Sequence, residues 1–107
     1  MTKDEQLESV FADTLRVFVG LLKPLRLSFE ETEDFEERVF LWFDRFVRRP
    51  GNENVPAERF VIPVLSAACE MARLTASGKG IELPSLATRK PVEVGIQLGL
   101  IEEVELR

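Results

Sequence analysis

The stretch Phe35 to Arg49 constrains the fold most, because its apolar side chains cover more than one face of a helix. At helical spacing, one face holds Phe35, Val39, Trp42, Phe43 and Phe46. Phe40, Leu41 and Val47 are apolar too and point elsewhere, so the apolar arc is wider than the usual stripe. Such a helix is either enclosed between neighbouring helices, which is the favoured interpretation, or shared with a partner.

Both ends of this helix carry recognisable signals. Ser28 and Glu31 have the spacing of a capping box, in which each side chain satisfies a free backbone N–H of the first turn. Acidic residues crowd the start of the helix and arginines its end, an order that suits the helix dipole. Pro50 and Gly51 then predict its end.

Two further helices are predicted on either side of it. The first spans residues 3–23, where Pro24 disfavours helical geometry at the preceding residue. The third follows Pro56 and continues at helical spacing to a predicted C-cap at Gly78. Pro63 lies inside this pattern, so either the helix kinks there or a short turn ends and a new helix starts at Pro63.

The residues after Gly78 change character and allow two interpretations. Apolar residues alternate at Val92, Val94, Ile96, Leu98 and Leu100, which is typical of a strand. Pro91 followed by Glu93 and a Leu-Gly-Leu turn also fits the first half of a helix-turn-helix. Because Gly95 and Gly99 weaken a helix, the strand is preferred. We therefore predict a mainly α fold, with a three-helix core over residues 1–77 and an irregular or short-strand C-terminal arm over residues 78–107.

Composition limits the classes of function. A chain of 107 residues is one domain at most, and it is long enough to bury a core without disulfides or metals. The net charge of −5 argues against a general nucleic-acid coat protein. The N-terminus is polar, and no apolar run of about 20 residues predicts a membrane helix. A single cysteine permits no internal disulfide, which fits the cytoplasm.

The residues of most catalytic sites are missing. The chain has no histidine, the usual general base near neutral pH, and no tyrosine. Cys69 lies on an apolar helix face and is interpreted as a buried small hydrophobe rather than a nucleophile. No cysteine and histidine cluster has metal-ligand spacing. We therefore predict no enzyme activity, no catalytic residues, no cofactor and no metal.

Basic residues flank the loop that follows the central helix. They are Arg45, Arg48, Arg49 and Arg59. With Trp42 and Phe60 nearby in the sequence, they could contact single-stranded nucleic acid by charge and stacking. The favoured interpretation is a solvated helix end whose charges complement the dipole.

The run Glu33 to Leu41, a loop and then Phe60 to Arg73 resembles region 2 of bacterial RNA polymerase sigma factors, especially the extracytoplasmic-function class. The resemblance covers residues 7–75 and implies a helix that docks on RNA polymerase, followed by a helix that captures melted promoter DNA. The chain departs from the family in two places. The family's Gln-Glu pair on the docking helix is Glu37 and Arg38 here, and the usual cluster of arginines on the DNA-binding helix is missing. The resemblance therefore implies a sigma-like fold kept for protein binding.

The expected function is that of a small cytoplasmic regulatory or adaptor domain acting by protein–protein contact. The predicted docking surface consists of Glu37, Arg38, Phe40, Leu41 and Trp42. Self-association into a homo-oligomer is the simplest case, since most soluble oligomers are built from identical chains. The alternative is a sigma-like transcription regulator that contacts RNA polymerase and promoter DNA.

Overall fold

The computed structural model describes residues 2–83 and 85–102, so Pro84 and residues 103–107 of the predicted arm lie outside the described residues. Within this part of the chain four α-helices form: α1 (Lys3–Val19), α2 (Phe29–Val47), α3 (Val61–Lys79) and α4 (Pro91–Gln97). Short 3₁₀ helices lie between them at Gly20–Leu25, Ala57–Phe60 and Ser85–Thr88. Helix α3 packs against each of the other three helices. A mainly α fold is confirmed.

The predicted capping box at the start of α2 is present. The Glu31 backbone N–H donates to Ser28 Oγ at 3.1 Å, and the Ser28 N–H donates to Glu31 Oε1 at 3.2 Å. Thr2 caps α1 in a similar way, because its hydroxyl accepts from the Glu5 N–H at 3.2 Å. Helix α1 ends at Val19, and the chain continues as a 3₁₀ helix through Pro24.

Pro63 neither kinks α3 nor begins it. The helix begins at Val61, with Phe60 as its N-cap, so Pro63 is the third helical residue. Backbone N–H groups in the first turn of a helix have no intrahelical acceptor, so a proline there removes no hydrogen bond. Of the two alternatives from the sequence, a short turn followed by a new helix is the correct one. The new helix begins at Val61, two residues before the predicted start at Pro63.

Two groups of buried side chains form the core. The larger group joins α1, α2, α3 and α4 and contains Leu15, Phe18, Leu22, Leu25, Phe35, Val39, Leu65, Ala67, Ala68, Cys69, Ala72, Ala76 and Val94. The smaller group, at the other end of α2, contains Leu7, Phe43, Ala57, Phe60 and Val64. Phe11 packs against both groups and so joins them. Four alanines on α3 allow its neighbours to approach closely.

The preferred strand over Pro91 to Leu100 is wrong, because Pro91–Gln97 is helical. Pro91 occupies the first turn, where a missing N–H costs nothing. Gly99, at φ +75°, lets the chain turn back so that the Leu100 N–H donates to the Gly95 carbonyl at 2.9 Å. Helix α4 thereby brings Val94, which is fully buried, into the larger group.

The C-cap predicted at Gly78 is also wrong. Helix α3 continues to Lys79, and Gly80 is its C-cap in the left-handed conformation, with φ +66°. The Ile81 N–H then reaches back to the Ala76 carbonyl at 3.0 Å, which fixes where the helix ends. Helix α3 thus runs across the predicted boundary between residues 77 and 78, and the division into two units stays a prediction.

The segment Ala57–Lys79 is long and apolar enough to cross a membrane, contrary to the expectation that no such segment exists. In this structure the segment comprises the 3₁₀ helix Ala57–Phe60 and helix α3, which packs against the other three helices. Val64, Leu65 and Ala68 on α3 are fully buried. Core helices of globular proteins meet the same criteria of length and composition.

Candidate functional site

Helix α2 has an outer face that the rest of the molecule leaves open. Its inner residues Phe35, Val39 and Phe43 are buried, as the helical spacing predicts. Phe40, Leu41 and Trp42 have exposed fractions of 40%, 55% and 37%. These three consecutive residues are called the α2 patch below. The wide apolar arc of α2 is therefore not enclosed within one copy of the chain.

Aromatic contacts hold both edges of the α2 patch. The Phe40 ring meets the Phe11 ring edge-on, with centroids 5.4 Å apart. Trp42 stacks nearly parallel on Phe46, with centroids 5.6 Å apart and planes inclined by 9°. Leu41 lies between them and is the most exposed of the three. Fixed rings lose little conformational entropy when they bind, which suits a contact surface.

Charged residues extend the α2 patch along the helix in a regular order. Glu37, Leu41 and Arg45 follow each other at intervals of four residues and so lie on one exposed face. Among the described residues, neither Glu37 nor Arg45 has an oppositely charged side chain within 4.0 Å. Arg38 differs, since its Nε lies 3.0 Å from Asp34 Oδ2.

The arginines predicted as nucleic-acid contacts do not form one open basic surface. Arg48 is held by Asp44, with Nε 3.1 Å from Oδ2, and this hydrogen bond raises the pKa of the Arg48 guanidinium. The Arg49 guanidinium lies over the Phe46 ring, 5.1 Å from its centroid. Arg45 and Arg59 are exposed. Two of the four predicted residues thus have intrachain partners.

A groove that the sequence did not predict lies beside Trp42. It has a volume of about 390 Å³ and runs between α3 and the segment that leads into α4. It is called the α3–α4 groove below, and its charged lining consists of Glu70, Arg73, Arg89 and Lys90. Its apolar lining includes Trp42, Met71, Ala87 and Pro91. No local pattern could reveal it, because its walls come from Trp42, residues 66–73 and residues 87–91, which only the fold brings together. The adjacent pair of cations at residues 89 and 90 is the one indication of it in the sequence.

Cys69 borders this groove but is itself buried, with an exposed fraction of 6%. Burial raises the pKa of the Cys69 thiol, and the nearby positive charge of Arg73 opposes this only in part. A neutral thiol is a poor nucleophile. Within the described residues, no group of three or more histidine, cysteine, aspartate or glutamate side chains could hold a metal ion.

Comparison of the chain with protein-family models, with curated protein sequences and with solved structures finds no match. The resemblance to sigma factor region 2 therefore stays a prediction.

Proposed function

We propose that this chain is a small, non-enzymatic regulatory or adaptor domain that binds protein through the α2 patch. The observation that carries the proposal is the exposure of three large apolar side chains, Phe40, Leu41 and Trp42, on a helix whose inner residues Phe35, Val39 and Phe43 are buried. Clustered apolar side chains on a surface are typical of interaction sites, whereas single exposed ones are ordinary. Aromatic residues are also enriched where protein interfaces bind most strongly.

A second copy of the chain is the partner that fits this surface best. When two α2 helices cross antiparallel at Leu41, Glu37 of each copy faces Arg45 of the other, because both residues lie four positions from the centre. A two-fold interface needs such self-complementarity, since the same surface serves on both sides. The absence of intrachain partners for Glu37 and Arg45 among the described residues supports this pairing.

The expected dimer is weak. Stable interfaces bury roughly 800 Å² on each partner, and three side chains with flanking charges cover less than that. We therefore expect a dissociation constant on the order of micromolar or weaker. A weak dimer suits an adaptor whose surface is shared with another protein.

The alternative, a sigma-like regulator that contacts RNA polymerase and promoter DNA, would use the same helix. It stays a prediction. The intrachain partners of Arg48 and Arg49 favour protein contact over DNA contact at this end of α2. The cytoplasmic location expected from the sequence is part of either proposal.

Sedimentation velocity over a range of protein concentrations tests self-association. The wild type is expected to shift from monomer to dimer as the concentration rises, and Leu41→Glu is expected to remain monomeric, because a buried unpaired charge opposes association. Leu74→Glu is the matched control, since Leu74 lies on α3 and is 57% exposed, against 55% for Leu41. A wild type that stays monomeric at millimolar concentration contradicts the proposed self-association.

A charge exchange tests the antiparallel geometry. Glu37→Arg and Arg45→Glu are each expected to weaken the dimer, because each places like charges opposite one another. The double variant carrying both substitutions is expected to restore dimerisation, because opposite charges then face each other again. If the double variant is as weak as the single ones, the two helices do not pair in this register.

A further inference from the structure

The α3–α4 groove has the charge and the shape of a second binding site. We infer that it binds an acidic peptide segment that carries an apolar side chain. The inference goes beyond the proposed function, because its charged residues Arg73, Arg89 and Lys90 lie on α3 and on the segment before α4, away from Leu41. Only Trp42 belongs to both the groove and the α2 patch.

The charge of the groove is opposite to that of the chain. Three cations, Arg73, Arg89 and Lys90, and one anion, Glu70, line it, whereas the whole chain has a net charge of −5. Glu70 is paired with Arg73 on the same helix. In the part of the chain that the structure describes, neither Arg89 nor Lys90 has a carboxylate within 4.0 Å. Both side chains are exposed and available to an anionic ligand.

The groove also has an apolar lining. Trp42 and Met71 contribute to it from α2 and α3, and Ala87 and Pro91 from the last 3₁₀ helix and the start of α4. A volume of about 390 Å³ accommodates a few side chains and lies within the usual size of binding pockets. A methionine adapts its shape to different apolar groups, and a tryptophan face offers a large rigid contact. An apolar anchor flanked by carboxylates therefore matches this lining.

An acidic peptide fits the groove better than a nucleic acid does. Proteins that bind single strands stack successive bases on several aromatic rings, and this groove offers one, Trp42. The Glu70 carboxylate can accept hydrogen bonds from peptide N–H groups. The net charge of −5 also opposes the approach of a long polyanion.

The chain contains its own probe for this site. Trp42 is its one tryptophan and it has no tyrosine, so intrinsic fluorescence comes almost entirely from the edge of the groove. The test is a titration with a short fluorescein-labelled peptide of alternating glutamate and leucine, followed by anisotropy and, with the unlabelled peptide, by Trp42 emission. The control peptide has glutamine in place of each glutamate.

The expected result is salt-sensitive binding of the glutamate peptide with a change in Trp42 emission, and much weaker binding of the glutamine peptide. The double variant Arg89→Glu with Lys90→Glu is expected to lose about tenfold in affinity, the effect of reversing two exposed charge contacts. Lys23→Glu with Arg26→Glu is the matched control. It changes the net charge equally at exposed residues that do not line the groove, and it is expected to bind nearly as the wild type does.

Three results would overturn the inference: no saturable binding of the glutamate peptide, an equal loss in both double variants, or preference for a labelled thymidine oligonucleotide over the peptide. Circular dichroism shows whether each variant is folded. Repeating the titration on Leu41→Glu separates this site from the proposed dimer, since peptide binding is expected to persist there even where self-association fails.

Discussion

At the scale of single residues, two glycines in helices have different roles. A Cβ on Gly95 would lie 2.4 Å from Ile101 Cδ1 and 3.0 Å from Leu65 Cδ1. A Cβ on Gly78 would meet nothing within 4 Å, and Gly78 has an ordinary helical φ. Gly95 is therefore required by packing, whereas Gly78 only weakens α3.

Alanine at these two positions is expected to act in opposite directions. Gly78→Ala should raise the free energy of unfolding by about 0.5–1 kcal/mol, the usual gain in helix propensity. Gly95→Ala should lower it by about 1 kcal/mol, because displacing the Ile101 and Leu65 methyl groups costs more than that gain. Urea denaturation of both variants measures the difference, and a stabilised Gly95→Ala would show that Ile101 moves aside freely.

The ion pair between Glu31 and Lys79 ties the start of α2 to the end of α3, with Nζ 2.7 Å from Oε2. The hydrogen bond from Lys79, aided by the Ser28 N–H, lowers the pKa of the Glu31 carboxyl. A lowered folded-state pKa adds stability above the unfolded value of about 4.3, and this stability is lost as the pH falls through the folded value.

Glu31→Gln is expected to be less stable than the wild type near neutral pH and equally stable in acid, where Glu31 is protonated. Glutamine keeps the capping box, so the variant isolates the charge. Urea denaturation at a series of pH values from about 7 downward checks this, because the difference in stability is expected to shrink as the pH falls below the unfolded value of about 4.3. A stability difference that does not depend on pH would mean that the ion pair is not its source.

At the scale of elements, the sequence predicts what depends on neighbours a few residues apart. The capping box of α2 and its buried face followed from Ser28, Glu31 and the spacing of the phenylalanines. Helix α4 did not follow from the sequence, because the alternating apolar residues and the two glycines of this segment favoured a strand. In the structure α4 packs on α3 so closely that a Cβ on Gly95 would lie 3.0 Å from Leu65 Cδ1. A contact between residues about 30 positions apart is not visible in a local pattern.

The capping box makes a testable contribution to α2. Ser28→Ala is expected to lower the free energy of unfolding by about 1 kcal/mol, because the Glu31 N–H loses its acceptor. Ser77→Ala is the control, an exposed serine within α3 that should change stability by no more than about 0.5 kcal/mol. If both variants lose the same amount, the cap is not the cause.

At the scale of the whole molecule, the candidate sites differ in how far the sequence could predict them. The α2 patch was predictable, because eight apolar residues within Phe35 to Val47 exceed what one face of a helix holds. The α3–α4 groove was not, because it depends on where Trp42, α3 and the segment before α4 meet. Whether the predicted arm over residues 78–107 is a separate unit also depends on tertiary packing, namely on how strongly α4 is held against α3.

Val94→Ala tests whether the chain unfolds as one unit. Val94 is fully buried in the group that also contains Leu65 and Phe18, so losing two methyl groups should cost about 2 kcal/mol. In a single cooperative unit, far-ultraviolet circular dichroism and Trp42 fluorescence should report the same lowered midpoint in urea. Val92→Ala, at a half-buried position on α4, should lower it less. If residues 78–107 were an independent arm, the main helical transition would keep its wild-type midpoint in Val94→Ala, because α1, α2 and α3 would not need Val94 to remain folded.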